Sequence, residues 1–208
     1  MSSSIHSPEI QNEIIGYMLS NVSSQGWTYE ALEQAVIQAG FQEIDALRAF
    51  DGDVNKALFH FIHMIDRQMN EKLEQLDMTS MRVRDRIATA ILVRLELMKP
   101  YRMALPKIIR YQATSSRGTQ ALKTLAGTVS DMWYAAGDQA TDFNYYSKRF
   151  LLAGVYTSTL LFWLKDDSAD FTETHSFLYR RIDNVMKISL VKEKVKSTLQ
   201  NLGNFFTK

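Results

Sequence analysis

Two pairs of side chains in this sequence have types and spacings that could do chemistry. Asp138 and Asp142 lie four residues apart in the stretch AGDQATDFNYYSKR, and paired carboxylates can act as general acid and base. His60 and His63 lie three residues apart, a spacing that puts two side chains on one side of a helix. Neither pair is complete, because no histidine lies near the aspartates in sequence and no Glu-x-x-His pair accompanies the histidines.

Other signatures of catalytic sites are missing from the sequence. There is no cysteine, which excludes thiolate zinc sites, cysteine-ligated iron–sulfur clusters and cysteine nucleophiles. No glycine-rich phosphate loop and no Gly-x-Ser-x-Gly elbow occurs. We therefore expect a protein that is not an enzyme and has no cofactor or metal. The histidines are interpreted as surface or boundary residues, and Thr141 or Asp142 as the cap of the next helix.

Tyr145 and Tyr146 need a separate explanation, which a helix cap does not provide. Adjacent residues on a helix point about 100° apart, so at most one of the two rings can be well buried. The other is then an exposed aromatic side chain, which is typical of an interface anchor.

The composition limits the kind of protein in which these residues can lie. The chain has 208 residues, 46% hydrophobic and 23% charged, with a formal net charge of +1. It is long enough for a substantial core in one or two domains, and its charge gives no bulk electrostatic case for nucleic acid. The first residues, MSSSIHSPE, match neither a signal nor a transit peptide. The longest apolar run, 150–164, is too short to span a bilayer and is interpreted as a deeply buried helix.

Hydrophobic periodicity predicts an all-α chain with no strand. Thr28 is expected to cap the second helix, Gly40 to end it, and Pro106 to delay or kink a later helix. Leu122 belongs to the apolar stripe predicted for 119–136. Helices are predicted over about 9–22, 28–40, 43–50, from Asp53 onward, 81–98, 101–113, 119–136, 142–164, 171–186 and 187–206.

The first 70 residues resemble the N-terminal helix-turn-helix domain of TetR-type repressors. The stretch ALEQAVIQAGF is similar to their second helix and turn, and KALFHF to the start of their fourth helix. A DNA reader needs cations facing the phosphates. Between residues 27 and 50, however, four carboxylates oppose Arg48 alone, a net charge of −3. We expect a helical scaffold that binds no nucleic acid, with a ligand-responsive repressor as the alternative.

Three longer stretches carry a more specific resemblance: RVRDRIATAILVRLELMKPY, VSDMWYAAGDQATDFNYYSKRFLLAGVY and DDSADFTETHSFLYRRID. They resemble the accessory lipid-binding family of ubiquinone biosynthesis, with its AGD-x-[ST]-TD-x-N-[WY]-Y-[ST]-[KR]-R signature. Tyr145 stands where that family commonly has tryptophan, and Ala140 where serine is common. The resemblance implies a TetR-like fold and a non-enzymatic protein. It also implies that the protein binds isoprenoid or quinone lipid and presents it to the di-iron hydroxylase of the pathway.

The same resemblance implies that the signature is the surface that docks the hydroxylase. The positions that match it are Asp138, Asp142, Asn144, Tyr145, Tyr146 and Arg149.

Bulky apolar residues on the later helices exceed what a single helix–helix seam requires, and such helices can enclose an apolar tunnel. Phe150 and Trp163 belong to this set. A solid core is equally compatible with the sequence. The residues predicted to contact lipid are Leu95, Trp133, Leu152, Tyr156 and Leu160.

The segment 187–208 is amphipathic and basic, with five lysines against one glutamate. Lysines beside an apolar stripe are typical of a helix that lies in a membrane interface. An ordinary helix packed on the core, or on a second subunit, remains open. The predicted membrane contacts are Lys192, Lys196, Leu199, Leu202, Phe205 and Phe206.

These patterns predict three parts: a TetR-like helical domain over 1–70, a lipid-binding domain over 71–186 and an amphipathic helix over 187–208. Since TetR-like chains often pair through their last helices, a homodimer is expected. We expect a cytoplasmic protein attached peripherally to the inner membrane, or to its matrix face in a eukaryote.

Overall fold

A computed structural model of the chain describes residues 5–114, 117–137 and 143–187, and describes 143–145 by backbone alone. This part of the chain is helical and contains no strand. It forms two compact units, Met1–Gln139 and Ala140–Lys208. Its α-helices are α1 (Pro8–Gln25), α2 (Tyr29–Gln38), α3 (Val54–Glu74), α4 (Val83–Met98), α5 (Leu105–Gln112), α6 (Gly118–Ala135), α7 (Phe143–Trp163) and α8 (172–187).

Side-chain caps explain where the first helices begin. Ser7 caps α1 by accepting from the amide of Ile10 at 3.4 Å. Thr28 caps α2 as predicted, because its Oγ1 accepts from the amide of Ala31 at 3.3 Å. Gly40 follows the end of α2 with a φ of 84°, the left-handed conformation that glycine adopts without strain.

The short helix predicted over 43–50 is divided in the structure. It consists of two 3₁₀ segments, Glu43–Leu47 and Ala49–Gly52. Phe50 and Asp51 both have positive φ values, 52° and 54°, which break a right-handed helix. Phe50 is buried with its ring centroid 5.4 Å from that of His60, and this packing offsets the backbone strain.

The predicted end of the helix over 81–98 and the predicted effect of Pro106 are both confirmed. α4 ends at Met98, and a 3₁₀ turn that contains Pro100 follows. α5 starts only at Leu105, with Pro106 in its first turn, where proline's missing amide hydrogen costs no hydrogen bond.

The core of the first unit lies among α1, α2 and α3, and α4 and α6 pack on α3. Trp27 anchors it, since its Nε1 donates to the carbonyl of Val54 at 2.8 Å. Its ring centroid lies 6.5 Å from that of Phe61. The largest fully buried side chains here include Ile14, Ile15, Met18, Leu32, Ile65, Met69, Leu73, Ile91 and Met132.

The stripe predicted for α6 is only half right. Val129, Met132 and Ala136 are buried, whereas Leu122 is 67% exposed. Only the second half of α6 contributes to the core.

The second unit contains α7 and α8, joined by a turn that includes the 3₁₀ segment Ala169–Phe171. Phe162 on α7 stacks on Phe177 of α8 with centroids 4.4 Å apart, and Trp163 meets Phe171 edge to face at 5.8 Å. These ring contacts hold the two helices together.

The interpretation of 150–164 as a deeply buried helix is wrong in part. Phe150 and Leu161 are exposed, while Leu152, Val155 and Tyr156 are buried, so this part of α7 is amphipathic. Within the described residues, the structure contains no helix with the length and apolarity needed to cross a membrane.

The predicted boundary at residue 70 falls inside α3, which runs unbroken from Val54 to Glu74. The assignment of functions to 1–70 and 71–186 stays a prediction. The segment 188–208, and with it all six predicted membrane residues, lies outside the described residues.

Candidate functional site

The family signature begins where α6 ends. Ala136 caps α6 by donating its amide to the carbonyl of Met132 at 3.0 Å. Gly137 follows with a φ of 87°, and its amide donates to the carbonyl of Tyr134 at 2.9 Å. A glycine in the left-handed conformation after a helix lets the chain leave the helix axis. This left-handed conformation explains why the AGD motif has a glycine at position 137.

Arg86 holds this turn in place from α4. Its Nη1 donates to the carbonyl of Ala136 at 3.2 Å. Its Nε donates to the carbonyl of Met81 at 3.0 Å, and its Nη2 to that of Thr79 at 3.0 Å. A Cβ added at Gly137 would lie 3.0 Å from Nη1. One guanidinium thus ties the start of α4 to the point where the signature begins.

Sequence reasoning did not single out Arg86. It lies in the quoted stretch RVRDRIATAI, but an arginine at the start of a helix is common on any helical surface. Only the three carbonyls around it, two from the preceding loop and one from α6, distinguish it.

The six predicted docking positions are described to different extents. Asp138 and Asp142 lie outside the described residues, and Asn144 and Tyr145 are described by backbone alone within α7. α7 begins at Phe143, close to the predicted start at 142, and the capping role of Asp142 stays a prediction. The remaining two positions are Tyr146 and Arg149.

Tyr146 is the exposed aromatic residue of the signature. Its side chain is 73% exposed, and Phe150, four residues later on α7, is 80% exposed. Residues four apart lie on the same face of a helix, so the two rings form one exposed aromatic pair. Arg149, between them in sequence, is half-buried.

The prediction for Phe150 is wrong. Phe150 was grouped with the bulky residues that could enclose a lipid tunnel, whereas the structure places it at the surface. The signal that could have found it is its spacing of four from Tyr146.

The residues predicted to contact lipid are all buried or half-buried. Leu95, Leu152 and Tyr156 are buried, while Trp133 and Leu160 are half-buried. Leu95 and Trp133 belong to the first unit and the other three to the second. That they line a common cavity stays a prediction.

Residues of the first unit form a pocket of about 290 Å³ that opens to solvent, and its lining does not include these residues. Its wall combines three amides with aromatic and aliphatic groups, which differs from the apolar tunnel expected for lipid. The lining residues are Asn55, Leu58, Phe59, Tyr111, Gln112, Arg117, Gln120 and Ala121.

A buried polar cluster joins α3, α4 and α6. Arg94 donates from Nε to Oδ1 of Asp66 at 2.9 Å, and Thr128 donates from Oγ1 to Oδ2 at 2.9 Å. All three side chains are buried. Burial raises the pKa of nearby Asp131, and the charge of Asp66 raises it further, against smaller opposing effects of His63 and Arg94.

This cluster is interpreted as structural. A buried carboxylate is tolerated only when its hydrogen bonds are satisfied, and both oxygens of Asp66 are bonded. Because the donors come from α4 and α6, the cluster fixes how these helices meet α3.

A carboxylate with an equally structural role lies between α7 and α8. Asp166 accepts from the amide of Ser168 at 2.9 Å, the amide of Thr174 at 2.8 Å and the Thr174 hydroxyl at 2.5 Å. Burial acts to raise the pKa of Asp166, but these hydrogen bonds outweigh it and hold the pKa far below the usual range. The acidic turn DDSADF therefore positions α8.

Comparison with known proteins identifies the family. Residues 118–189, which contain the signature and the aromatic pair, match the family model named COQ9. The Xenopus laevis protein named ubiquinone biosynthesis protein COQ9-B, mitochondrial, is 30% identical over 205 residues, which cover 91% of this chain and 67% of that protein. The chain belongs to the COQ9 family.

The Rattus norvegicus protein named ubiquinone biosynthesis protein COQ9, mitochondrial, is 33% identical to this COQ9-family chain over 197 residues. The match covers 91% of the chain and 63% of the rat protein. The chain thus spans less than two thirds of the length of this relative.

The fold of the COQ9-family chain is that of TetR-type proteins, as the sequence predicts. A crystal structure of a TetR transcriptional regulator from Nitrosomonas europaea matches it with a TM-score of 0.70, covering 86% of this chain and 98% of that one. Sequence identity is 17%, so the likeness concerns the fold alone.

Of the two pairs of potentially catalytic residues in this COQ9-family chain, only the two histidines lie within the described residues. Nε2 of His60 lies 2.7 Å from Oδ1 of Asn12, and burial lowers the pKa of His60. His60 is half-buried and His63 exposed, as predicted for surface or boundary residues. Where side chains are described, no group of three or more potential ligands is placed to hold a metal ion.

Proposed function

We propose that this COQ9-family chain is a non-catalytic accessory protein of ubiquinone biosynthesis. It binds an isoprenoid or quinone lipid and presents it to the di-iron hydroxylase of the pathway. The observation that carries the proposal is the exposed pair formed by Tyr146 of the family signature and Phe150, which follows the signature. The names of the relatives support the pathway, since they are called ubiquinone biosynthesis proteins.

Hydroxylase docking is assigned to the signature and the aromatic pair. Exposed aromatic rings are disproportionately strong anchors of protein interfaces. Arg86 and Gly137 fix the end of α6, which leads into the signature. We extend the predicted docking set of Asp138, Asp142, Asn144, Tyr145, Tyr146 and Arg149 by Phe150.

Lipid binding is assigned to the residues predicted from the sequence, of which Leu152, Tyr156 and Leu160 lie on α7. Leu152 and Tyr156 lie on the buried side of α7, and Leu160 continues that side by one turn. An apolar chain is stabilised in such a site by about 0.8 kcal/mol for each buried methylene group.

Membrane attachment is assigned to 187–208, through the basic amphipathic pattern of its sequence. The chain would attach peripherally to the inner membrane, on the matrix face in a mitochondrion. The relatives' names carry the word mitochondrial. A homodimer is part of the same proposal.

The lipid content of the purified protein tests this function. Protein purified without detergent is extracted with organic solvent, and the extract is analysed by mass spectrometry. Isoprenoid or quinone lipid is expected from the parent and much less from Leu160→Trp, which fills the proposed site. Leu161→Trp is the matched control, because Leu161 is exposed on the same helix. Parent protein that carries no such lipid contradicts the proposal.

A ligand-responsive repressor is the competing function for a TetR-like fold. The four carboxylates against one arginine over 27–50 oppose it. A gel-shift titration against genomic fragments at low and high salt separates the two, since a repressor binds some fragments tightly and this chain is expected to bind none.

A further inference from the structure

The segment Glu43–Leu47 occupies the place of the recognition helix in a helix-turn-helix fold. It is a 3₁₀ segment, which has three residues per turn, so that residues three apart align along one edge. Ile44 and Leu47 have this spacing and are 60% and 58% exposed. An apolar edge therefore faces solvent where a DNA reader would place polar and basic groups.

Carboxylates surround this edge. Glu43 and Asp45 flank Ile44 in the chain, and Glu33 lies on α2, which packs on the segment. Burial raises the pKa of Tyr29, and the charges of Glu33 and Glu43 raise it further. The carboxylates of α2 and of the 3₁₀ segment thus act on the same hydroxyl group.

Arg48 offsets one of these acids, because its Nη1 pairs with Oδ1 of Asp45 at 3.3 Å. Nζ of Lys56 pairs with Oδ2 of Asp51 at 2.5 Å, so these two cations are engaged by carboxylates other than Glu33 and Glu43. We call residues 29–48 the acidic–apolar face, because they carry four carboxylates against one arginine beside an exposed aliphatic edge.

We propose that the acidic–apolar face binds a basic amphipathic helix of a partner protein. The aliphatic edge of Ile44 and Leu47 would contact the apolar stripe of that helix, and Glu33 and Glu43 its flanking lysines or arginines. This site lies in the first unit, whereas the signature enters the second. The inference does not depend on the proposed function in ubiquinone biosynthesis.

The charge of the acidic–apolar face favours a basic helix over nucleic acid, anionic lipid or a second copy of this chain. Nucleic acid and anionic lipid would bring phosphates against carboxylates. A second copy joined by a two-fold axis would bring the same face against itself, so its carboxylates would repel each other. A cationic helix with an apolar stripe is the occupant that complements both the charge and the aliphatic edge.

A synthetic helix pair tests the charge preference on the full chain. The probe is the fluorescently labelled peptide LKKLLKLLKKLLKL, and its control carries glutamate at every lysine position. Fluorescence anisotropy is expected to show binding of the basic peptide that weakens in high salt. The acidic peptide is expected to bind at least about tenfold more weakly. Equal binding of both peptides overturns the proposal, as does no binding of either.

Paired variants locate the binding. Ile44→Asn with Leu47→Asn is expected to weaken binding of the basic peptide about tenfold, and Glu33→Gln with Glu43→Gln about fivefold. The matched control, Glu13→Gln with Glu74→Gln, removes the same charge from exposed positions elsewhere, and parent-like affinity is expected from it.

Circular dichroism establishes that each variant keeps the parent's helicity. Unchanged affinity in both face variants overturns the proposal, and so does equal weakening in the control.

Analytical ultracentrifugation provides the last check. If the parent self-associates and Ile44→Asn with Leu47→Asn abolishes this, the face joins two copies of this chain and the proposal is wrong. DNA binding by the parent that these variants remove would contradict it as well.

Discussion

Nη1 of Arg86 donates a hydrogen bond to the carbonyl of Ala136 at 3.2 Å, across fifty residues of sequence. The bond closes the C-terminal end of α6 onto α4, at the first residue of the family signature. A Cβ added at Gly137, whose backbone is left-handed, would lie 3.0 Å from Nη1 of Arg86, so the guanidinium would have to shift. The first residues of the signature are thus held by one arginine and one glycine.

Gly137→Ala should destabilise the protein by about 1–2 kcal/mol, because a left-handed alanine is strained and its Cβ would crowd Arg86. Gly127→Ala is the matched control, since Gly127 lies inside α6 with open space around its Cα. That substitution should stabilise by about 0.5–1 kcal/mol. Urea unfolding of both variants gives the two free energies, and a loss at Gly127 equal to that at Gly137 would refute this explanation.

Asp166→Asn should cost roughly 1.5–3 kcal/mol at neutral pH, because the carboxylate's charge-assisted hydrogen bonds to Ser168 and Thr174 are weakened or lost. The folded pKa of Asp166 lies below its unfolded value, so its contribution is complete above about pH 4 and is lost as the pH falls through the folded pKa. The stability difference between parent and variant should therefore shrink in acid. A difference that stays constant from pH 7 to pH 3 would contradict the assignment.

Asp131→Asn should raise the thermal unfolding temperature at neutral pH. The folded pKa of Asp131 is raised by burial and by Asp66, so its ionised form is disfavoured in the folded protein. The stability associated with this group is complete below about pH 4 and falls as the pH rises through the raised pKa. The gain in the variant should therefore vanish in acid.

Asp66→Ala should have the opposite effect on stability to Asp131→Asn. It should destabilise the protein by about 3–5 kcal/mol, because Arg94 would lose its buried partner. Thermal unfolding of the parent and both variants across the pH range tests the pair together. A loss of stability in Asp131→Asn at neutral pH would contradict the direction assigned to its pKa.

The helices were predictable because their caps are local. Thr28, Gly40 and Asp53 each act within a few residues of their own position, so the sequence shows where the helices stop and start. The 3₁₀ character of 43–52 was not visible, since the positive φ values of Phe50 and Asp51 accompany burial of Phe50 against His60 on the following helix. Leu122 shows the same limit, because periodicity identifies an apolar stripe but not whether another element covers all of it.

The docking site could be predicted from the resemblance to the family signature, but only partly from residue types and spacing alone. Two adjacent tyrosines required one to be exposed, and Tyr146 is exposed. Phe150 was misplaced, since a phenylalanine at the edge of an apolar run has the same pattern in a core and at an interface. Arg86 was missed because its partner on α6 lies fifty residues away in sequence.

Vesicle flotation should depend on 187–208. Vesicles with anionic lipid should bind the chain, and added salt should weaken binding, because each lysine near the surface contributes about 1 kcal/mol that salt screens. Lys192→Glu with Lys196→Glu should abolish the salt-sensitive part, and Leu199→Asn with Leu202→Asn the remainder. If flotation survives both pairs of substitutions, the membrane contact lies elsewhere in the chain.

The affinity of the chain for the di-iron hydroxylase of ubiquinone biosynthesis, measured by isothermal titration calorimetry, tests the central claim most directly. Tyr146→Ala with Phe150→Ala should weaken binding by at least about 2 kcal/mol, roughly thirtyfold, because the pair is proposed as the aromatic anchor. Met103→Ala, at an equally exposed position of the first unit, should leave the affinity unchanged. If the double variant unfolds at the parent's temperature and binds the hydroxylase with the parent's affinity, the aromatic pair is not the docking surface.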